Sequence, residues 1–283
     1  MSEVQKLSPD QFPSLLREVV DAPKELYLRG SLPSTEHKLL AVVGSRRMTH
    51  YGKDACIRII EGLRGYPVSI VSGLALGIDG VAHHAALKAG LHTVAVPGSG
   101  LNDEVLYPAS HRALAKEILE SGGALMSEEL PDFRARPESF PKRNRIMAGM
   151  SHAVLVVEAT LHSGTLITSR LAVEYNRDVL TVPGSIFSES TEGPHLLLKL
   201  GATPVKSASD VLEALHINEY EKSAQAVVTK KEQNILNALH EPLERDELIR
   251  VLEMSVSEIN TLLLGMELKG LVQERLGKIH KQI

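Results

Sequence analysis

Short uninterrupted apolar runs alternate with amphipathic stretches along this chain, and the two patterns predict its elements. Leu39-Leu40-Ala41-Val42-Val43 is apolar throughout and stops at Gly44-Ser45. A run of that length bounded by a turn signal predicts a buried strand. Thr49 then caps a helix over residues 50–63. The same unit recurs. Residues 67–73, 92–96 and 124–128 predict further strands, and 153–158 is apolar enough for a central strand covered on both faces. Residues 178–182 predict the last strand. Helical stretches separate them over 81–89, from 107–108 through 119, from Pro141 onward, and from 165 through 175, and one more runs from 193 to 201. Strands alternating with helices and glycine-rich loops predict an α/β fold: a Rossmann-like, doubly wound domain with a mainly parallel sheet.

The two ends break this rhythm. Residues 1–37 predict a short helix over 15–20, with Pro13 at its start, and a short strand over 26–30. That extension is too small for its own core and is expected to pack on the main domain, residues 38–216. Residues 210–216 predict a short closing helix, and the polar stretch 217–228 a linker. Residues 229–283 then show three helical patterns, over 230–239, 245–252 and 255–269, and a hairpin over 270–279. Three helices and a wing predict a small C-terminal winged-helix domain. Its third helix offers Glu258 and Glu267 against Lys269. A groove-reading helix should be cationic, so a protein contact or an autoregulatory role is favoured there.

Composition narrows the function classes. The 283 residues suffice for a large domain and a small one. A net charge of −4 gives no global attraction to nucleic acid, so any such binding must come from local clustering. Cys56 is the single cysteine, which excludes an intrachain disulfide and a multi-cysteine metal site. His83, His84, His92 and His111 show no metal-ligand spacing, and no metal site is expected. No signal-peptide core opens the chain and no apolar run approaches a membrane span, so a cytoplasmic location is expected.

In a parallel sheet, ligands bind beyond the carboxyl ends of the strands. Arg46 stands at such an end, beside a helix N-terminus that suits an anion, unless it is merely solvated. The next turn has glycines at 73, 77 and 80, which is not the G-x-G-x-x-G of a dinucleotide site; Ser72 and Gly73 stand where such an enzyme carries an acid. There is no P-loop motif. The glycine-rich turn still lets backbone approach a phosphate or a base, and Asp79 serves either as a helix cap or as a partner for a ligand hydroxyl. Residues 134–147 concentrate Arg134, Arg136, Lys142, Arg143 and Arg145 against Glu138 alone. A helix from Pro141 would put Lys142 and Arg145 on one face, with Phe140 just ahead. Two readings follow: a solvated basic helix end with Phe140 in the core, or a single-strand site in which cations track phosphates and the ring stacks on a base.

Taken in order, a set of short motifs is more specific. They are Val43-Gly44-Ser45-Arg46 with Tyr51-Gly52, Ser72-Gly73-Leu74-Ala75-Leu76-Gly77-Ile78-Asp79, Tyr107-Pro108, and Phe140-Pro141-Lys142-Arg143-Asn144-Arg145-Ile146. Val157-Glu158-Ala159, Ser163-Gly164-Thr165, Val182-Pro183-Gly184 and Gly201-Ala202 complete it. From about residue 12 onward the sequence resembles the DNA-processing protein A family (DprA, also called Smf) of bacterial natural transformation. The resemblance implies an extended Rossmann fold that binds single-stranded DNA, protects incoming DNA, dimerises and hands the strand to the RecA recombinase. It implies no catalytic residue and no cofactor. The implied DNA contacts fall on Arg46, Phe140, Lys142, Arg143 and Arg145, with Gly44, Ser45, Ser72, Gly73, Gly77, Asp79, Asn144, Ser163, Gly164 and Thr165 around them. The N-terminal helical module of many members is mostly missing here. The alternative is a nucleoside-monophosphate hydrolase of the lonely-guy-like Rossmann class. Its Pro-Gly-Gly-x-Gly-Thr loop would correspond to His162-Ser163-Gly164-Thr165, which keeps one glycine, and Glu174 follows on the helix.

Overall fold

A computed structural model describes residues 3–218, 230–239, 242–252, 254–268, 271–275 and 277–281. The chain divides into two compact units, Met1–Glu221 and Lys222–Ile283. The first holds strands β1 (Gln5–Leu7), β2 (Leu26–Gly30), β3 (Lys38–Val43), β4 (Val68–Ser72), β5 (Thr93–Ala95), β6 (Ala124–Ser127), β7 (Ala153–Val156), β8 (Asp178–Thr181) and β9 (Thr203–Pro204). Its helices are α1 (Ser14–Arg17), α2 (His50–Gly62), α3 (Ile78–Ala89), α4 (Arg112–Glu120), α5 (Ser139–Met150), α6 (Thr165–Glu174), α7 (Glu192–Lys199) and α8 (Ala208–Ala214).

The strands form one nine-stranded sheet in the order β1-β2-β6-β5-β4-β3-β7-β8-β9. From β3 the chain adds β4, β5 and β6 on one side, then crosses back to add β7, β8 and β9 on the other. Leu40 lies opposite Ile70 of β4 and Ala153 of β7, both in parallel register. β2 runs antiparallel to β6, and β1 antiparallel to β2. The connections therefore leave β3 and β7 in opposite directions. The resulting switch point lies beyond Val43 and Val156.

The apolar run of β3 is divided between two cores, because successive side chains point to opposite faces. Leu40 and Val42 pack with Ile70, Leu155 and Leu180 beneath Ile59 and Ile60 of α2, Ala82 and Ala86 of α3, and Val211 and Leu212 of α8. Leu39, Ala41 and Val43 pack on the other face with Val71, Val154 and Val156, covered by Leu16 of α1, Ile146, Met147 and Met150 of α5, and Ala172 of α6. Burial of each large aliphatic side chain contributes roughly 1.5–3 kcal/mol. Two covered faces leave the carboxyl-terminal edge as the place for a ligand.

Three features differ from the sequence expectation. Residues 178–182 do not supply the last strand: Thr203–Pro204 adds a short β9 beside Leu180 and Thr181. Proline is tolerated on such an edge strand. β1 also joins the sheet, though Leu7 is its one buried residue and no apolar pattern announces it. Helix α5 begins at Ser139, ahead of Pro141. A first-turn residue has no intrahelical acceptor for its N–H, so a proline there breaks no bond. Phe140 is consequently inside the helix.

The second unit contains α9 (Lys230–Ala238), α10 (Arg245–Leu252), α11 (Val256–Leu268) and strands β10 (Leu243–Glu244), β11 (Val272–Arg275) and β12 (Lys278–Lys281). The strands pair antiparallel in the order β10-β12-β11. Ile235, Leu248, Ile259, Leu263, Met266 and Ile279 fill its core. It is a winged helix. Most of the expected linker (219–228) and Lys269 lie outside the described residues. Among the described residues no helix is long and apolar enough to cross a membrane.

Candidate nucleic-acid interface

A cleft of about 1120 Å³ opens at the carboxyl ends of β3, β4, β7 and β8. Its lining includes Gly44, Ser45, Arg46 and Arg47 after β3, Asp79 after β4, and Phe140, Arg143 and Asn144 on α5. Ser163, Gly164 and Thr165 at the start of α6, and Phe187 to Ser190 after β8, close it. This is the switch point, where open α/β sheets take their ligands.

The floor is built on a buried cation. Arg143 is 7% exposed, and its guanidinium donates to the Gly73 carbonyl at 2.6 Å and to the Val96 carbonyl. It thereby ties the ends of β4 and β5 to α5. A Cβ on Gly73 would fall 2.0 Å from the Arg143 Nη1, so no larger residue fits without displacing the arginine. Burial lowers the Arg143 pKa to about 10, which leaves it charged at neutral pH. Its electrostatic partner is Asp79, whose carboxyl is raised by burial and lowered by Arg143 and by backbone donors. Asp79 Oδ2 accepts from Gly73 N at 3.1 Å and from Ala75 N at 3.4 Å. Asp79 lines the cleft and caps the glycine turn rather than its own helix, whose N-cap is Gly77.

The rim carries the free charge and the aromatic ring. Arg46 and Arg47 are exposed. Arg46 Cζ lies 5.1 Å from the centroid of the half-buried Phe140 ring, and Tyr107 meets the same ring at 5.6 Å between centroids, tilted by 51°. The Arg46 loop is seated on Gly77, whose φ of 79° belongs to the left-handed half of the map; a Cβ there would stand 2.2 Å from the Ser45 carbonyl oxygen. Ser72 lies below the cleft, its hydroxyl donated to the Val42 carbonyl at 2.6 Å. On the far wall Asn144 Nδ2 reaches the Gly164 carbonyl at 3.4 Å, and the Ser163 hydroxyl accepts from Thr165 N at 3.2 Å.

The basic cluster is divided. Lys142 and Arg145 share a helix face, as their spacing predicts, and both turn to Glu128. Lys142 Nζ is 3.1 Å from Glu128 Oε1 and 3.2 Å from Glu129 Oε1. Arg145 donates to Glu128 Oε2 and to the Asp21 carbonyl. Neither lines the cleft, whereas Arg143 and Asn144 do. Hydrogen bonds to Glu128 and Glu129 raise the Lys142 pKa, against the opposing effect of burial.

Sequence reasoning did not single out Arg47, Thr160, Phe187, Ser188 or Ser190, all of which line the cleft. Nor did it assign a role to Glu158, which is 1% exposed. This carboxylate accepts from Thr49 N at 2.9 Å, from the Thr49 hydroxyl at 2.5 Å and from the Ser190 hydroxyl at 3.0 Å, joining α2 to the β8 loop. Glu174, the acid that the hydrolase alternative would need, is exposed in the last turn of α6 and does not line the cleft. Among the described residues no cluster of three or more His, Cys, Asp or Glu residues is placed to hold a metal ion.

A doubly wound sheet with a cationic, aromatic-edged cleft at its switch point, and a winged helix later in the chain, define a Rossmann-like protein whose cleft has the chemistry to take an anion. More narrowly, the chain belongs to the DNA recombination-mediator protein A family, which matches residues 4–216, and residues 220–278 match the DprA winged helix domain. Protein Smf of Escherichia coli is 39% identical over 270 residues, covering 92% of this chain and 72% of that protein. The DNA processing protein DprA of Streptococcus pneumoniae is 42% identical over 203 residues, 72% of this chain and 71% of that one. The crystal structure of the pneumococcal DprA aligns at a TM-score of 0.70 and 39% identity, covering 75% of this chain and 74% of that one. DNA processing protein A of Helicobacter pylori, whose structure is described for a unique single-stranded DNA binding mode, aligns at a TM-score of 0.67 and 28% identity, covering 76% of this chain and 98% of that one.

Proposed function

We propose that this protein binds single-stranded DNA in the switch-point cleft, protects incoming DNA during natural transformation, and loads the RecA recombinase on it. The observation that carries this reading is the Arg46–Phe140 pair on the rim, a cation held against an aromatic face. Exposed Arg46 and Arg47 attract the backbone, and the Phe140 ring offers a stacking surface that any base can use. A duplex buries its base faces, so a stacking platform favours single strands. Such contacts read backbone and ring faces and leave the base edges free, which suits a strand that a recombinase must next test for homology. The protein acts as a cytoplasmic homodimer, without a catalytic step or cofactor. The winged helix serves protein contact or autoregulation; Lys231 and Arg245, two of its cations, are already paired with Glu258 and Glu274.

Competition between a labelled single strand and its own duplex tests the first part. The expected result is clear preference for the single strand, weakening as salt rises. Equal competition by the duplex would overturn it. For the second part, adding the protein should speed recombinase filament growth on a strand already coated by a single-strand binding protein; an unchanged rate would remove that role.

A further inference from the structure

The chain has four phenylalanines and no tryptophan. Phe12 is buried in the core, Phe133 lies against Arg136 with Cζ 5.7 Å from the ring centroid, and Phe140 lies under Arg46. Phe187 differs from all three. It is 93% exposed, beside Ile186 at 79%, and its ring has no aromatic or cationic partner among the described residues. A bare ring on a surface loop leaves apolar area in water that a ligand can cover.

The loop that carries it is well braced. Phe187 N donates to the Ser185 hydroxyl at 3.2 Å, and Ser188 N to the Ser185 carbonyl at 3.2 Å. The Thr191 hydroxyl bonds the Ser185 and Ser188 carbonyls, the latter at 2.7 Å. The Ser190 hydroxyl anchors the loop to buried Glu158 at 3.0 Å. The backbone is thus held in place while the ring stands free on the cleft wall formed after β8. The Arg46–Phe140 pair belongs to the elements after β3 and to α5, so the two rings come from different elements around one cleft.

We infer that Phe187 is a second base-stacking platform, and that the strand lies across the cleft with one base on Phe140 and another on Phe187. The occupant is a nucleobase: the ring lines the cleft in which exposed Arg46 and Arg47 suit phosphate, while exposed Glu189 on the Phe187 loop repels phosphate there and leaves the ring to a base. The inference rests on the proposed single-strand site and extends it from one base to at least two.

The absence of tryptophan allows a direct readout. Phe187→Trp places a single indole in the protein, and binding of an oligothymidylate should quench it, whereas an abasic strand of equal length should not. Phe187→Ala should weaken oligothymidylate binding by roughly 5–100-fold with an unchanged salt slope, since stacking releases no counterions. That loss should vanish on the abasic strand. If Phe187→Ala binds within about twofold of wild type while Arg46→Ala is impaired, the second platform is overturned and the cleft stands. Equal losses on the normal and abasic strands, or equal quenching by both, would also overturn it. If wild type shows no preference for single strands, the site reading fails and takes this inference with it.

Discussion

Arg143→Met removes the guanidinium beneath the cleft and keeps much of the side-chain volume. In the structure that group satisfies two carbonyls, of Gly73 and Val96, and its charge lowers the Asp79 carboxyl, which burial raises. Each buried acceptor left without a donor costs about 1–3 kcal/mol, so a total of about 2–6 kcal/mol is expected for the two. That is a large share of the roughly 5–15 kcal/mol that holds a typical domain. For a domain of this size about 1 kcal/mol moves Tm by about 2–4 °C, which gives a fall of about 4–24 °C. The assay is thermal unfolding followed by circular dichroism, paired with salt-dependent binding of the folded variant to an oligothymidylate. Arg143→Met with Asp79→Asn should lose less stability than the sum of the two single changes, because the uncompensated carboxylate is gone. A Tm within about 2 °C of wild type, together with a salt slope reduced by about 0.7, would show that Arg143 serves a phosphate and not the fold.

Glu128→Gln removes the carboxylate shared by Lys142 and Arg145. If those cations track phosphates, the salt slope should steepen by up to roughly 0.7 for each phosphate newly engaged; an unchanged slope in binding titrations would exclude them from the DNA path. Gly77→Ala forces a side chain into a left-handed position and against the Ser45 carbonyl. It should cost about 1–3 kcal/mol in unfolding experiments and weaken single-strand binding by shifting the Arg46 loop, and wild-type behaviour in both would contradict that packing. Burial raises the Asp79 carboxyl, so the folded state keeps its proton to higher pH than the unfolded chain. Its contribution to stability therefore falls as pH rises from the ordinary carboxylate range through the folded value. Asp79→Asn should flatten that part of the stability–pH curve, and a curve of unchanged shape would refute it.

The sheet was readable where side-chain chemistry alone dictates it. The run Leu39 to Val43 is apolar on both faces because α1 and α5 cover one and α2 and α3 the other. The strand at Thr203–Pro204 carries no such signal, since both residues are exposed and only backbone pairing makes them a strand. The cleft was readable through Gly44-Ser45-Arg46, whose place follows from the end of β3, and through Phe140, marked by the cations that follow it at the start of α5. The Lys142–Arg145 cluster was readable as charge but not as partnership. Nothing in the local sequence shows that Glu128 and Glu129, which follow β6, fold back onto that helix. Phe187 carries no periodic signal either: its exposure depends on a loop held by Thr191 and Glu158. Partnerships across many residues depend on topology, which periodicity does not encode.

The most direct test of the central claim is the salt dependence of oligothymidylate binding by wild type and Arg46→Ala. Arg46 is exposed at the switch point and held against Phe140, so it should contact phosphate as a strand enters. The expected result is a linear fall of log affinity with log salt for wild type. Arg46→Ala should bind more weakly by about 1–3 kcal/mol, with a slope shallower by roughly 0.7. A folded Arg46→Ala protein with wild-type affinity and slope would place the strand elsewhere on the molecule.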